Sequence, residues 1–202
     1  MKKAFAVILS MLLICLSFAA CGSKTGDEAA EPQAEAEHSK VLFTMESGGT
    51  FTVELYPEYA PETVANFLSL VEAGEYDGTI FHRVVDGFMA QGGAFLPDGS
   101  QRTANSIKGE MSGNGFTQNT LKHERGVISM ARIGGMYDSA SNQFFICYDK
   151  ADFLDGEYAA FGKVIDGMEV IDSFLSVQRT YGSDGAISAP VEPIIIEKAE
   201  VI

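Results

Sequence analysis

Residues 81 to 93, FHRVVDGFMAQGG, contain the side chains of this chain that are best suited to chemistry. An imidazole, a guanidinium, a methionine and a glutamine stand there among apolar residues, but no Ser, Cys or acid is in an obvious partnership with Arg83. An arginine among apolar side chains is costly unless it faces a cleft. The stretch therefore predicts a cationic hydrogen-bond donor beside an apolar pocket, without a nucleophile or a general base.

Rotation about an X–Pro peptide bond is a reaction that needs such a donor and neither a nucleophile nor a proton relay. The barrier is about 18–20 kcal/mol, because resonance gives the C–N bond double-bond character. Proline makes the cis and trans forms similar in energy, but their exchange still takes about tens to hundreds of seconds. When the bond twists, the proline nitrogen regains its lone pair, and a guanidinium in a weakly screened pocket can donate a hydrogen bond to it.

The usual motifs of other enzyme classes are missing from the sequence. Gly113 and Gly115 form G-x-G, but the third glycine and the flanking elements of a nucleotide loop are absent. His82 and His123 belong to no recognisable metal-ligand spacing, and G-x-S-x-G does not occur. We therefore predict neither a cofactor nor a metal.

The N-terminus predicts export and a lipid anchor. Two lysines precede the apolar run 4–16, which is too short to span a bilayer comfortably, and small residues lie directly before Cys21. This arrangement resembles a bacterial lipoprotein signal, whose terminal Cys is diacylated, although Phe18 stands where that pattern usually has Leu. We predict a signal peptide at 1–20 and an extracytoplasmic protein anchored to the bacterial cell membrane through Cys21. An ordinary secretory signal with a chance Cys is the alternative.

The segment that follows predicts a tether rather than a folded unit. Residues 22–40 contain no Val, Ile, Leu or aromatic residue, so they cannot bury enough apolar area to offset the entropy of ordering them. We assign 21–40 to the lipidated Cys and a disordered acidic tether. One further thiol, Cys147, lies in the remaining chain, where its apolar neighbours predict a buried side chain and no internal disulfide.

The pattern from Val41 onward predicts one mainly β domain, 41–202. Strand-like runs alternate with Gly-, Asp- and Asn-rich turns, and helical periodicity occurs only at 60–76 and 166–177. Many short strands with two helices favour a closed antiparallel barrel whose helices cover the open ends. The predicted strands are VLFTM, TFTVELY, TIFHRVV, FMAQGG, GVISMA, QFFICY, AAFGKVI and PIIIEKAEVI.

Several sequence blocks in this domain resemble the cyclophilin family of peptidyl-prolyl isomerases. The blocks FHRVVDGFMAQGG, IKGE, GVISMA, NQFFICY and LDGEYAAFGKV occur in family order between Val41 and the C-terminus. The resemblance implies a closed eight-stranded antiparallel β-barrel capped by two α-helices. It also implies that the protein accelerates X–Pro rotation in proline-containing polypeptides, which for an exported enzyme are exported proteins during folding.

The resemblance also assigns roles to individual residues. It makes Arg83 the catalytic donor and Phe145 the floor of the proline pocket, and it implies that the backbone at 131–132 binds substrate. The remaining substrate-binding residues that it implies are Phe88, Met89, Gln91, Ala131, Arg132, Gln143, Phe153, Leu154 and Tyr158. Without the resemblance, barrel core would be the favoured interpretation of Phe88, Met89, Phe145 and Leu154.

Departures from the family pattern affect the expected partners. Phe153 stands where many eukaryotic members carry Trp, Tyr158 where they carry His, and Arg132 where Asn is common. Because Phe153 lacks an indole N–H, we expect weakened binding of cyclosporin, the inhibitor of the family. The net charge of −14 argues against nucleic acid, and we expect a monomer.

Two other functional classes remain as alternatives. A proline-binding or chaperone module with little turnover would use the same pocket, but it would not need Arg83. A solute-binding lipoprotein of a transporter usually has two α/β lobes, and this chain is too short and too rich in predicted strands for that architecture.

Overall fold

The computed structural model of the protein describes residues 38–202, and these form ten strands and two α-helices. The helices are α1 (Pro61–Glu72) and α2 (Met168–Ser173). The strands are β1 (Lys40–Met45), β2 (Thr50–Leu55), β3 (Ile80–Val85), β4 (Met89–Gly93), β5 (Val127–Met130), β6 (Gln143–Cys147), β7 (Ala160–Asp166), β8 (Arg179–Tyr181), β9 (Ile187–Pro190) and β10 (Ile194–Val201).

Eight of these strands close into an antiparallel barrel in the order β1-β10-β3-β4-β6-β5-β7-β2. The closure joins β1 to both β2 and β10, so no barrel strand is left with an unpaired edge. The predicted mainly β fold, a closed eight-stranded antiparallel barrel with two helices, is confirmed. Both helices are shorter than expected, since α1 ends at Glu72 and α2 continues only as a 3₁₀ turn, Phe174–Ser176.

The barrel interior is filled by aromatic side chains from strands and from α1. Phe67 of α1 lies 4.9 Å from Phe161 and 5.8 Å from Phe144, measured between ring centroids, and all three rings are fully buried. Phe43 and Phe51, directly paired on β1 and β2, stack at 4.7 Å. Because α1 contributes a ring to this interior, the helix closes one end of the barrel rather than lying on its surface.

The N-terminus of α1 explains the IKGE block. Pro61 occupies the first turn, where its missing N–H removes no helical hydrogen bond. The backbone N–H groups of Glu62 and Thr63 donate to the buried carboxylate of Glu110 at 3.0 and 2.7 Å. A carboxylate at this end satisfies donors that have no partner within the helix, so Glu110 fixes α1 against the loop that follows β4.

The sequence did not predict the two-stranded sheet of β8 and β9, which lies outside the barrel. Its strands are only three and four residues long, and the connecting turn contains Gly and Ser, so the hydrophobic periodicity is too short to detect. The hairpin packs against β3, where Arg179 donates to the carbonyl of Val84 at 3.3 Å and pairs with Asp86. It thereby adds a structured element beside the strand that carries Arg83.

The predicted signal peptide, the lipidation site Cys21 and most of the predicted tether lie outside the described residues. The last residues assigned to the tether belong to the domain instead, because β1 begins at Lys40 and His38 Nε2 lies 3.2 Å from Glu58 Oε2. Within 38–202, no helix has the length and apolar character needed to cross a membrane.

Candidate active site

A β-bulge in β3 directs Arg83 away from the barrel interior. The register against β4 pairs Phe81 with Gly92 and Arg83 with Gln91, which leaves His82 as the extra residue. Phe81 and Val84 are both fully buried in the barrel core, whereas His82 and Arg83 between them are partly exposed. Regular alternation would place residues 81 and 84 on opposite faces. The bulge therefore allows two core residues to flank two outward-facing polar ones.

The outer faces of β4 and β6 carry the apolar part of the site. On β6, Phe144 and Ile146 belong to the barrel core, whereas Phe145 and Cys147 belong to a second buried cluster. This outer cluster consists of Met89, Phe145, Cys147, Ala151 and Leu154, with Phe88, Ala131 and Tyr158 packed against it. The apolar residues implied by the family resemblance thus form a hydrophobic floor outside the barrel.

A cavity of about 480 Å³ lies above this floor. It brings together every residue predicted for catalysis or substrate binding except Gln143, and it adds Glu157. Its lining is Arg83, Phe88, Met89, Gln91, Ala131, Arg132, Phe145, Phe153, Leu154, Glu157 and Tyr158. Gln143 lines adjoining cavities and accepts a hydrogen bond from Gln91 Nε2 through its Oε1 at 2.9 Å.

The polar and apolar halves of the cavity meet along one row of paired residues. Arg83 on β3 is opposite Gln91 on β4, and Gln91 is opposite Phe145 on β6. Arg83 Nη1 lies 3.5 Å from Gln91 Oε1, and the Arg83 guanidinium carbon lies 5.9 Å from the Phe88 ring centroid. Directly paired residues share a face of the sheet, so the guanidinium is held beside the aromatic floor.

Arg83 has an acidic partner that sequence reasoning missed. Its Nε donates to Asp184 Oδ2 at 2.6 Å, and Asp184 lies in the turn of the β8–β9 hairpin, 101 residues away in sequence. The Arg83 guanidinium, the Ala186 N–H and the Ser188 hydroxyl together lower the pKa of Asp184 to about 2. Residues 81–93 offered no obvious acidic partner for Arg83, and the fold supplies one from a distant hairpin. No local signal could have found this pair, because the contact depends on the fold.

The side chain of Arg132 makes contacts that were not predicted from the sequence. We expected only its backbone to matter, but its guanidinium lies between the rings of Tyr137 and Tyr158, 4.7 and 4.6 Å from their centroids. It also donates to the carbonyl and the carboxylate of Glu157 at 2.9 and 3.2 Å. Arg132 is thus a buried clamp that joins the loop after β5 to the cavity wall at 157–158.

His123 supports the floor from behind. Its ring stacks on Phe145 at 6.0 Å, while Nδ1 lies 3.0 Å from Asp155 Oδ1 and Nε2 lies 3.0 Å from Ser129 Oγ. Burial lowers its pKa, so the neutral ring is favoured. Cys147 beside this floor is fully buried, and burial raises its pKa to about 12, as expected for a small hydrophobic residue rather than a nucleophile.

The remaining rim is open, and it carries no cluster of metal ligands. Phe153 is 69% exposed at the cavity mouth, with its ring 5.4 Å from that of Phe88. In the described chain, 38–202, no group of three or more His, Cys, Asp or Glu side chains is arranged to hold a metal ion. The arrangement offers a concavity with an apolar floor and a cationic donor at one wall.

Comparison with known proteins assigns the chain to a family. Residues 40–201 match the family model described as cyclophilin type peptidyl-prolyl cis-trans isomerase/CLD. The chain is 44% identical over 168 residues to peptidyl-prolyl cis-trans isomerase A of Dickeya dadantii, covering 80% of this chain and 84% of that one.

Solved structures agree with this assignment. A crystal structure of a Cryptosporidium parvum cyclophilin type isomerase superimposes with a TM-score of 0.69 at 30% identity, covering 82% of this chain and 98% of that one. A second structure of that protein, described as being in the presence of dipeptide ala-pro, gives 0.67 at 29% identity, covering 81% and 98%. The chain therefore belongs to the cyclophilin type peptidyl-prolyl cis-trans isomerases, and its activity is the interconversion of cis and trans X–Pro bonds.

The bulge residue His82 should make the stability of the protein depend on pH. Burial lowers its pKa from 6.5 to about 4, the charge of Arg83 adds to this, and its Nδ1 has no hydrogen-bond partner among residues 38–202. The unfolded chain binds the proton more readily than the folded protein does. The contribution of neutral His82 to the free energy of unfolding is therefore fully present above about pH 6.5, and it is lost as pH falls toward about 4. The loss should reach up to about 3 kcal/mol.

Urea unfolding of wild type and His82→Gln measures this contribution. The wild type should lose more free energy of unfolding than His82→Gln between about pH 7 and about pH 4.5. Carboxylates and His123 titrate in both proteins, so the difference between the two losses isolates His82. Equal losses would contradict the assignment of a neutral, buried His82.

Proposed function

We propose that this isomerase binds proline on the Phe145 floor and uses Arg83 as its catalytic donor, acting on polypeptides that are exported from the cell. The observation that carries the proposal is the position of Arg83. Its guanidinium stands at the wall of a cavity with an apolar floor, in one row with Gln91 and Phe145 across three paired strands.

Binding depends on the apolar floor. Met89, Phe145 and Leu154 are each at most 5% exposed and line the cavity. A proline ring placed on them buries its methylene groups without leaving a polar group unsatisfied, because proline has no N–H. The cavity volume of about 480 Å³ leaves room for the residues on either side of the proline.

Catalysis depends on Arg83 recognising the twisted bond better than either planar isomer. In the planar amide the proline nitrogen is conjugated and a poor acceptor, and in the twisted amide it is an acceptor. Only interactions that strengthen in the transition state lower the barrier, so a donor aimed at this nitrogen raises the rate. The nitrogen loses and gains no proton, and the chain therefore needs no general base.

A proline-binding module with little turnover is the alternative that shares this pocket. The Cryptosporidium protein solved in the presence of dipeptide ala-pro supports proline-containing peptides as ligands, and both hypotheses share that expectation. The guanidinium favours catalysis, since a cationic donor beside an apolar floor adds little to the binding of a neutral ring.

Export and membrane anchoring form the second part of the proposal. The sequence before the domain supports it, with a short apolar run, small residues before Cys21 and an acidic segment of low hydrophobicity. A single acyl chain holds a protein only marginally, whereas the diacylglyceryl group of a lipoprotein supplies two chains and anchors it stably. Clients would then be proteins that fold outside the cytoplasmic membrane.

Weakened binding of cyclosporin is the third part. Phe153 lies at the exposed rim and lines the cavity, where the phenyl ring offers contact area but no donor. An indole at this position would add one N–H donor to the rim.

We predict that Arg83→Ala lowers the rate of isomerisation by about 100- to 1000-fold, the usual effect of removing a preorganised donor. Affinity for a proline peptide should fall much less, because the apolar floor is intact. Arg83→Lys should not restore the rate, since a point ammonium lacks the planar fork. NMR exchange on an Ala-Pro peptide measures turnover, and circular dichroism monitors the fold.

The matched control is Arg125→Ala, which removes a surface arginine paired with Asp172 away from the cavity. Its rate should stay near that of the wild type. A folded Arg83→Ala protein with near-normal turnover would contradict the role of Arg83. A wild type that binds the peptide without accelerating exchange would favour the binding module.

Replacing Cys21 by Ala should remove the lipid and release the protein from membranes. Mass spectrometry of the wild type should find a diacylglyceryl group on an N-terminal Cys21, and fractionation should find the variant in the soluble fraction. Cys15→Ala, a change within the predicted signal, is the control that keeps both the lipid and the membrane location. A wild type without lipid and a variant that remains in the membrane fraction would refute the anchor.

Phe153→Trp should tighten cyclosporin binding by about 0.5–1.5 kcal/mol, the usual contribution of one hydrogen bond. Titration calorimetry on both proteins measures the difference. Tyr181→Trp adds an indole to an exposed position outside the cavity and should leave the affinity unchanged. An unchanged dissociation constant in Phe153→Trp would remove the argument from the missing donor.

A further inference from the structure

The turn of the β8–β9 hairpin places a carboxylate directly against the proposed catalytic guanidinium. We propose that Asp184 is a positioning residue for isomerisation, which holds Arg83 Nε so that the terminal nitrogens of the guanidinium point to the proline cavity. The inference rests on the role proposed for Arg83. It concerns a residue outside the barrel and outside the cavity lining.

The Nε of the Arg83 guanidinium is bonded to Asp184, whereas its Nη1 faces residues of the cavity. Nε is occupied by Asp184 Oδ2 at 2.6 Å. Nη1 lies 3.5 Å from Gln91 Oε1 and 3.8 Å from the Met89 sulfur, and both of these residues line the cavity. Within 38–202 no group accepts a hydrogen bond from Nη2. Pairing through Nε therefore fixes the plane of the guanidinium and leaves its terminal nitrogens to donate to substrate.

Asp184 is itself fixed in place. Its second oxygen, Oδ1, accepts hydrogen bonds from the Ala186 N–H at 3.0 Å and from the Ser188 hydroxyl at 2.8 Å. Both oxygens are thus engaged, and these donors lower the pKa of Asp184 to about 2, so the group is ionised near neutral pH. A carboxylate held by two donors besides Arg83 can orient Arg83 without reorganising during the reaction.

The hairpin that carries Asp184 is attached to the barrel independently of Arg83. Arg179 of β8 is largely buried, donates to the carbonyls of Val84 and Leu175, and pairs with Asp86 after β3. This attachment supports the hairpin from the side of its strands, whereas Asp184 lies at its turn. The two ion pairs of the hairpin can therefore be removed separately.

The Arg83–Asp184 pair orients the Arg83 side chain and contributes little to folding stability. The two side chains are 30% and 22% exposed, and ion pairs this accessible contribute little to folding. The carboxylate also weakens the field of the guanidinium at the cavity, which by itself would slow the reaction. Its benefit must come from restricting the rotamers of a long side chain, so that the donor is already aimed when the bond twists.

The test compares Asp184→Ala and Asp184→Asn with the wild type by NMR exchange on an Ala-Pro peptide. Asp184→Ala should lower kcat about tenfold, as expected for losing one hydrogen bond to a charged group, with KM nearly unchanged. Asp184→Asn should recover part of the loss, because its amide oxygen still accepts from Nε. In both variants the Arg83 Nε–H resonance should shift, and the proton should exchange faster with water. Both changes should be larger in Asp184→Ala than in Asp184→Asn.

The control is Asp86→Asn, which breaks the other ion pair of the same hairpin without touching Arg83. Its kcat should stay within about twofold of the wild type, as for other exposed pairs. A normal kcat in Asp184→Ala, an unmoved Nε–H resonance, or an equal loss in Asp86→Asn would overturn the proposal. The last result would mean that hairpin stability, and not the pairing, affects the rate.

Arg83→Ala and the double variant Arg83→Ala/Asp184→Ala separate this inference from the proposed function. If Asp184 acts through Arg83, the double variant is no slower than Arg83→Ala alone. A further tenfold loss in the double variant would overturn the positioning role. Full activity in Arg83→Ala would instead overturn the proposed function, whereas an inactive Arg83→Ala beside a normal Asp184→Ala would overturn the inference alone.

Discussion

The site depends on the alternation of side chains along the barrel strands. One face of a strand fills the barrel core, and the other face carries the site. Phe144 and Ile146 fill the barrel while Phe145 and Cys147 face outward, so one strand supplies both the core and the pocket floor. On β3, with Phe81 facing inward, the same alternation would send both Arg83 and Val84 to the wrong face. The bulge resolves this conflict by inserting one extra residue, His82, into β3, and the barrel stays closed.

This shared use of strands links the rigidity of the site to the packing of the core. Gly92 and Gly93 show how close the fit is. A side chain at Gly92 would meet the ring of Phe81 at 3.0 Å, and one at Gly93 would meet the carbonyl oxygen of Asn142 at 2.3 Å. The strand that carries Gln91 can therefore lie tightly against its neighbours only because glycines follow it. Close packing leaves the outward row from Arg83 to Phe145 little freedom to shift.

Periodicity and composition predicted the eight barrel strands and two helices correctly, because each barrel strand has a detectable apolar pattern and a bounding turn. The family resemblance supplied the residues that line the cavity. Neither could predict Asp184, Tyr137 or Glu157, since their contacts join distant loops through the fold. The side-chain role of Arg132 was missed for the same reason: its two aromatic neighbours come from separate segments.

The closure of the barrel has a consequence for how this protein reaches its own native state. The first strand lies between the second and the last, with Val41 opposite both Val53 and Val201. The contact with Val201 joins the two ends of the domain, and such contacts form slowly, since the chain must close a large loop before they contribute. The barrel cannot close until β10 (Ile194–Val201) is free to pair with β1. An enzyme that accelerates slow X–Pro isomerisation is thus built on a topology whose own closure is slow.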